Sequence, residues 1–405
     1  MKKGRFSRIL VLSASVGAGH VRAAEAVALA LRKLCPRCSI EAVDVLGLAS
    51  KTFRRLYGKG YLDFANRAPH LLGFVYDVLD RPAKEKPPAS PLRIALEKLN
   101  LKPFLKLLAA EPWALVINTH FLPAEIIAAL RRSRRIGVPQ MTVVTDFMVH
   151  RLWVQEPCER YFLASAESAA YASALGIPAE RITVTGIPIH PVFGRPLSVA
   201  EARRELAVAG GRPLILVLSG GFGVGPVEAI VQAVQAIERP LDIVVVCGRN
   251  AALEQRLTAL PPRAPHRVRT LGYTPVLDRW LAAADLVISK PGGLTASEIL
   301  ARGAAFAIVN PIPGQESRNA DYLLENGAAV KIGPLATLPW KIETLLSDPA
   351  RLRRLRRQAR RLARPGAAFE IARRALAFLD APGSDSARPV HPASREKTWV
   401  FRPQA

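Results

Sequence analysis

The chain has 405 residues, half of them hydrophobic and 22% charged, which is enough apolar material for two globular cores. Its formal net charge of +24 at pH 7 favours an anionic partner such as nucleic acid, acidic lipid or a phosphorylated substrate. The absence of a run of about 20 apolar residues excludes a helix spanning a bilayer, and four cysteines exclude a disulfide scaffold. We expect a cytoplasmic protein that can rest on a membrane.

Short aliphatic runs alternate with helical patterns through the first half of the chain. Strands are predicted at 9–12, 40–45, 115–117, 142–144 and 182–184, and helices at 19–34 and 123–135. Repeated strand–helix–strand units imply a parallel sheet covered by helices on both faces. A first domain is predicted at 1–193 and a proline-containing linker at 194–200.

The alternation starts again with a strand predicted at 214–218. Further strands are predicted at 241–247, 267–271, 285–289 and 305–309, with helices at about 225–238, 275–284, 294–302 and 316–327. A second doubly wound domain is therefore predicted at 201–380, and a disordered tail at 381–405. Because ligands bind at the carboxyl ends of parallel strands, two such domains would enclose a cleft lined by strand-to-helix loops.

The first of these loops contains Gly17 and Gly19 and leads into a helix that begins near His20. A helix N-terminus disfavours an imidazolium, so His20 is expected to be neutral and basic. A neutral histidine is what a general base requires. The alternative is a dinucleotide-binding turn, but the spacing is G-x-G-H rather than G-x-G-x-x-G.

The second loop holds Gly220, Gly221, Phe222 and Gly223, again between a strand and a helix. Its backbone N–H groups face a helix N-terminus and suit a diphosphate. It is not a P-loop, because no Gly-Lys-Ser/Thr follows. The alternative is a tight packing turn.

The third loop contains Gly292 and Gly293 and continues to Thr295 and Glu298. A carboxylate in this position could accept hydrogen bonds from ribose hydroxyls. The alternative is structural, because Thr295 and Glu298 have the spacing of a capping box.

The fourth loop brings Gln315, Glu316 and Asn319 to a loop–helix junction. Amides and carboxylates are suitable groups for reading sugar hydroxyls. Ordinary helix-start chemistry is the alternative.

These loops belong to seven motifs that follow one another from about residue 8 to about residue 375: SASVGAGH, THFLPAEI, VVTDF, TGIPIHP, SGGFGVG, KPGGLTASE and NPIPGQESRNADYL. In this order they resemble the diacylglycerol glycosyltransferase family, which comprises the monogalactosyldiacylglycerol synthases and the processive diacylglycerol glucosyltransferases. The C-terminal half is also similar to the N-acetylglucosaminyltransferase that makes peptidoglycan lipid II.

The resemblance implies a GT-B fold, in which two Rossmann-like domains face a cleft. It implies an inverting transfer of glucose or galactose from a UDP-hexose to diacylglycerol or a similar membrane lipid, with no obligatory metal and no cofactor. His20 matches the catalytic histidine. The donor site falls on Gly220, Gly221, Phe222, Gly223, Tyr273, Gly292, Gly293, Thr295, Glu298, Gln315, Glu316 and Asn319. The acceptor side falls on Gly17, Gly19, Asp146, His150 and Trp153.

The residues themselves also favour a metal-free inverting reaction. The chain contains no D-x-D, so backbone N–H groups and a helix terminus must balance the charge of a diphosphate. No pair of carboxylates stands out as the acid and nucleophile of a retaining enzyme.

Three other functions were weighed against this one. An N-acetylglucosaminyltransferase acting on a polyprenyl-diphosphate or other lipid acceptor would use the same scaffold. A nucleotide-sugar epimerase would also fit it. A nucleic-acid-binding protein fits less well, because RNA-binding motifs are missing and the glycine loops would have no use, so no nucleic-acid partner is expected.

Residues 53–76 combine six aromatic side chains with basic ones, among them Arg54, Arg55, Tyr57 and Lys59. Aromatic rings favour the headgroup level of a bilayer, and basic side chains meet acidic lipid there. We predict that this segment docks the first domain peripherally on the inner face of the cell membrane. The alternative is a local core, and a second basic run at 351–364 is read as a solvated helix face.

Overall fold

A computed structural model describes residues 7–50, 78, 80, 101–220, 225–261 and 263–381, with only the backbone for 101 and 102. These residues form two six-stranded sheets in which every pairing between neighbouring strands is parallel. Each sheet has an apolar core on both faces, which confirms the predicted doubly wound α/β class. Within the described residues, no helix is both long enough and apolar enough to cross a membrane.

The first sheet has the strand order β2-β1-β3-β4-β5-β6. Its strands are β1 (Arg8–Ser13), β2 (Ser39–Asp44), β3 (Leu115–Asn118), β4 (Gln140–Val143), β5 (Arg160–Leu163) and β6 (Ile182–Val184). Its helices are α1 (Ala18–Leu34), α2 (Leu101–Ala110), α3 (Phe121–Arg132) and α4 (Ala166–Ala174). The strand order reverses between β1 and β3, and a ligand is expected beside such a switch point. The loops that follow these two strands carry His20 and His120.

The second sheet has the order β12-β11-β10-β7-β8-β9, with its switch point between β7 and β10. Its strands are β7 (Leu214–Leu218), β8 (Asp242–Val246), β9 (Arg267–Leu271), β10 (Leu286–Ser289), β11 (Phe306–Ile308) and β12 (Ala329–Lys331). The helices are α5 (Val199–Glu205), α6 (Val227–Val234), α7 (Ala251–Ala259), α8 (Leu277–Ala283), α9 (Gly293–Arg302), α10 (Gln315–Glu325), α11 (Leu338–Leu346) and α12 (Pro349–Leu362). The loop at Gly220 and the Gly292–Gly293 turn therefore lie at neighbouring strand ends.

The central strands are the ones that the sequence predicts best. β7 and β8 are buried at every position, since helices cover both faces of the sheet, and such strands are continuous aliphatic runs. β5 and β12 were not predicted. β5 opens with Arg160, and β12 has three residues and ends with an exposed lysine, so neither gives a long apolar run.

The last helix, α13 (Ala367–Asp380), returns to the first sheet. It buries Ala368, Ile371 and Ala375 in the same apolar core as α1 and Ile9. This helix therefore departs from the predicted second domain at 201–380. The chain crosses between the domains twice, and the crossings touch, because a side chain on Gly186 would overlap that of Arg364.

Two of the four cysteines are bonded to each other. Cys35 and Cys38 form a disulfide just beyond the end of α1, a pairing that the sequence analysis did not predict. Cys158 and Cys247 are free thiols buried in the two domains.

Candidate functional site

His20 lies in the first turn of α1 and is half-buried at the carboxyl edge of the first sheet. Its Nδ1 atom is 3.1 Å from the carbonyl oxygen of Thr119 and 2.9 Å from the hydroxyl of Thr145. A carbonyl oxygen can only accept a hydrogen bond, so Nδ1 carries the proton and Nε2 keeps its lone pair. The tautomer is therefore the one in which Nε2 can act as a base.

The imidazole of His20 is neutral at pH 7, as predicted, but for a different main reason. Loss of water around the ring lowers its pKa to about 4, and the hydrogen bond to Thr119 opposes this only in part. With a pKa of about 4, His20 is neutral as predicted, and it is a weak base in the free protein.

An aromatic wall surrounds His20. The His120 ring lies edge to face with it at 4.6 Å between centroids, and the Trp153 ring lies at 6.1 Å. His120 is buried at the start of α3, where its Nδ1 accepts a hydrogen bond from the Leu122 N–H at 3.0 Å. Burial and the neighbouring His20 lower the pKa of His120, so it too is neutral. No role was predicted for His120 from the sequence, although its place in the THFLPAEI motif indicated that it could belong to the site.

His150 is buried, with 1% of its surface exposed. Its Nδ1 accepts from the Leu152 N–H at 3.1 Å, and its Nε2 is 3.7 Å from the Asp80 carboxylate. It therefore caps the short turn at Arg151–Trp153 that presents Trp153 to His20. It acts on the site through Trp153.

Asp80 was not foreseen as part of the site. Its carboxylate accepts hydrogen bonds from the Arg151 N–H at 2.7 Å and the Tyr171 hydroxyl at 2.9 Å, and it also pairs with Arg318 of α10. These cationic and hydrogen-bonding partners keep its pKa low despite burial. Asp80 thus ties the acceptor-side loop to the second domain.

Beside His20, the backbones of the two domains are in direct contact. A side chain on Gly293, the first residue of α9, would overlap the carbonyl oxygen of Thr145. Asn319 is fully buried, accepts from the Phe147 N–H at 2.8 Å and donates to the Asp146 carboxylate at 3.1 Å. Asn319 was predicted to contact the sugar, but its side chain binds the first domain.

Glu298 is fully buried on α9 and pairs through Oε1 with Arg22 of α1. Its Oε2 has no hydrogen-bond partner among the described residues. Burial raises its pKa to about 7, while Arg22 opposes the rise. The capping box that was the structural alternative is not formed, because Gly292 caps α9 without any side-chain hydrogen bond and Thr295 is inside the helix.

Two more carboxyl groups approach each other across the cleft. Glu316 accepts from the Ile312 N–H at 2.7 Å; burial raises its pKa and Lys290 opposes the rise. Burial raises the pKa of Asp146 to about 6, and Glu316 adds to this effect. Gln315 precedes Glu316 as the first residue of α10 and is half-buried.

The remaining predicted positions divide into described and undescribed ones. Gly17 caps α1, and Gly19 packs against Leu294 of α9. Gly220 adopts a φ of 76°, which favours glycine. Tyr273 is 71% exposed, with the Arg249 guanidinium 5.9 Å from its ring centre. The positions that lie outside the described residues are Gly221, Phe222, Gly223, Arg54, Arg55, Tyr57 and Lys59.

The site can therefore hold a base on one side and bind a polar ligand on the other. The N-termini of α1 and α9 both open on it, and helix N-termini attract anions. In the described part of the chain, no three His, Cys, Asp or Glu side chains are grouped so that they could hold a metal ion.

Known proteins match both halves of the chain. Residues 20–189 match the family model of monogalactosyldiacylglycerol (MGDG) synthase, and residues 214–365 match that of the glycosyltransferase family 28 C-terminal domain. The processive diacylglycerol beta-glucosyltransferase of Bacillus cereus (strain AH187) is 30% identical over 365 residues, which are 90% of this chain and 92% of that protein.

Solved structures share the fold at low sequence identity. MurG of Acinetobacter baumannii aligns with a TM-score of 0.58 at 18% identity, over 91% of this chain and 98% of that one. HepE of Anabaena in complex with UDP-glucose aligns with a TM-score of 0.53 at 15% identity, over 91% and 99%. These similarities, with the two facing sheets, confirm the predicted GT-B fold.

Proposed function

The chain belongs to the diacylglycerol glycosyltransferase family and is a lipid glycosyltransferase, and from this premise we propose that its donor is a UDP-hexose and its acceptor is diacylglycerol or a similar membrane lipid. The observation that carries the proposal is the apposition of His20 with the start of α9. Thr145 contacts His20 on one side and Gly293 on the other, so the base and the proposed donor site lie one residue apart.

The second domain would bind the donor. Glu298 would accept from the ribose, the Gly220 loop and the N-terminus of α9 would hold the diphosphate, and Gln315 with Glu316 would contact the hexose. The UDP-glucose bound to HepE on the same fold supports a UDP-sugar. Because backbone N–H groups and a helix N-terminus would stabilise the charge of the diphosphate, we propose that the reaction needs no cofactor.

The reaction would then be a single displacement. The acceptor hydroxyl oxygen attacks the anomeric carbon, the bond from that carbon to the diphosphate oxygen breaks, and Nε2 of His20 takes the hydroxyl proton. Attack opposite to the leaving UDP inverts the anomeric configuration. Charge develops on the diphosphate, where helix N-termini and backbone N–H groups stabilise it in place of a metal ion.

We also propose that the enzyme works as a peripheral protein on the inner face of the cell membrane. A diacylglycerol acceptor stays in the bilayer, so the cleft must approach an anionic surface. The net charge of +24 and the basic aromatic segment at 53–76 support this arrangement.

The test is to incubate the protein with a panel of UDP-sugars and either diacylglycerol or a polyprenyl-diphosphate lipid in anionic vesicles, with and without EDTA, and to analyse the lipids by mass spectrometry. We expect one UDP-hexose to give a hexosyl-diacylglycerol in both conditions, with the β-anomer seen by NMR. A product formed only from UDP-N-acetylglucosamine and a polyprenyl-diphosphate would contradict the proposal and support the alternative transferase.

A further inference from the structure

Helices α1 and α9 belong to different domains but pack side by side with both N-termini at the cleft. Gly19 of α1 lies against Leu294 of α9, and one turn further along Arg22 pairs with Glu298. The Glu298 carboxylate is fully buried, whereas 40% of the Arg22 side chain is exposed. A charge that the first domain supplies therefore neutralises a buried carboxylate of the second.

We propose that Arg22 is a positioning residue of the donor site, which favours the ionised form of the Glu298 carboxylate and orients it so that its unpaired oxygen can accept a ribose hydroxyl. The inference rests on the proposed function, because it takes Glu298 as the ribose ligand. Arg22 itself touches neither the ribose nor the reacting atoms. Its effect passes through Glu298.

The free oxygen is the first reason for this inference. Oε1 of Glu298 is taken by Arg22, and Oε2 has no partner among the described residues although it is inaccessible to water. Leaving a buried polar atom without a hydrogen bond costs about 1–3 kcal/mol, and more when the group is charged. A hydroxyl donor that arrives at Oε2 recovers that cost, so the site is poised to receive one.

The charges around Glu298 are the second reason. Arg22 on α1 favours its ionised form, whereas Asp278 on α8 disfavours it, and Asp278 is itself paired with Arg302. The charges that act on His190 include those of Arg22, Asp278 and Glu25. Without Arg22, burial and Asp278 would both favour a protonated carboxyl group, which has lost much of its capacity to accept hydrogen bonds.

The consequence is that donor affinity depends on the other domain. The proposed ribose ligand has its cationic partner only while α1 lies against α9. A donor bound to the second domain alone would meet Glu298 without its cationic partner. A donor bound between the two domains would meet Glu298 paired with Arg22.

Calorimetry with UDP-glucose over a series of pH values tests the inference, because its diphosphate diester does not itself titrate near neutrality. We expect the affinity of the wild type to fall as the pH drops through about 7, where Glu298 protonates. Arg22→Ala should move this midpoint upward by about one unit or more and weaken binding about tenfold at neutral pH, with recovery in alkali. Arg22→Lys should keep the wild-type midpoint.

Two further variants separate the possible outcomes. Arg22→Gln removes the charge but fills the same space, so it should reproduce the shifted midpoint if Arg22→Ala folds poorly. Arg32→Ala removes an exposed charge from the far end of α1 and should change nothing. An unchanged midpoint in Arg22→Gln would overturn the inference.

Glu298→Gln distinguishes this failure from failure of the proposed function. It should bind UDP-glucose more weakly than the wild type and lose the change in affinity whose midpoint lies near 7. If it binds as well as the wild type at every pH, the proposed donor site is wrong. If it binds weakly while Arg22→Gln keeps the wild-type midpoint, only the role of Arg22 is wrong.

Discussion

The two sides of the cleft share one architecture and differ in chemistry. Each has a glycine turn at the carboxyl end of a central strand, followed by the N-terminus of a helix. The first domain places His20, His120 and Trp153 there, a wall of rings. The second places the carboxyl groups of Glu298 and Glu316 there. The fold sets the position of the site, and the side chains set the task of each wall.

Burial acts on both walls in the same direction, toward the uncharged form. It lowers the pKa of the histidine to about 4 and raises that of Glu298 to about 7. The wall of rings around His20 is therefore suited to take up a proton late in a reaction, once charge has developed nearby. The carboxyl wall is suited to hold hydroxyl groups, provided that a cation keeps it ionised.

The largest expected effect tests whether the ring wall is catalytic. His20→Ala should lower turnover by about 10²–10⁴-fold, the range for loss of a general base, with little change in UDP affinity. Steady-state kinetics and calorimetry measure the two quantities. His190→Ala, which removes a histidine that caps the short turn at Pro191–Gly194, is the matched control. A His20 variant that keeps more than a tenth of the turnover would show that the residue is structural.

The next effect tests whether the carboxyl wall binds the nucleotide. Glu298→Ala should weaken UDP binding by about 1.5–3 kcal/mol, the value of a hydrogen bond to a charged group. Isothermal calorimetry gives the affinity, and a melting curve confirms that the variant is folded. Glu25→Ala, on the exposed face of α1, should bind UDP as the wild type does. Unchanged affinity in a folded Glu298 variant would assign the wall another role.

A smaller effect tests whether the walls must touch. Gly293→Ala places a methyl group against the Thr145 carbonyl oxygen and should push the domains apart. Overpacking of this kind costs about 1–3 kcal/mol, which denaturant unfolding can measure. We also expect lower turnover. Gly333→Ala is the control, since nothing lies within 4 Å of the added atom. Equal stability of the two variants would mean that the interface yields without cost.

The smallest expected effect per residue concerns membrane docking by the basic aromatic segment at 53–76. Changing Arg54, Arg55 and Lys59 to Glu should reduce co-sedimentation with anionic vesicles, at about 1 kcal/mol for each basic side chain near the surface. High salt should weaken wild-type binding in the same way. The control changes Arg353, Arg354 and Arg357, exposed on α12 of the second domain. If both triple variants lose the same amount of vesicle binding, residues 53–76 do not contribute more to docking than other basic side chains do.

Local pattern predicted most of the fold and the loops of the site. The strand at 214–218 agrees with β7 residue for residue, and His20, Gly220 and Gly292 all follow central strands, as expected. Hydrophobic periodicity and glycine position are properties of short segments, so a sequence displays them directly.

The contacts between domains could not be predicted in this way. Arg22 and Glu298 are 276 residues apart, and Asn319 meets Phe147 across 172 residues. These pairings depend on how two separate sheets are oriented, which no local period records. For this reason Asn319 was predicted to contact the sugar, and no role was predicted for Asp80.

The return of α13 to the first sheet has a mechanical consequence. The domains are joined by two chain crossings rather than one, and these lie together, since Gly186 faces Arg364 and Gly194 lies near the backbone of Pro365. Two connections at a single place restrict the domains to rotation about an axis through that place. A single flexible connection would restrict their relative motion much less. We therefore expect any opening of the cleft to be a rotation about that axis rather than a sliding of one wall past the other. Such a rotation would bring His20 back to the same place beside the N-terminus of α9.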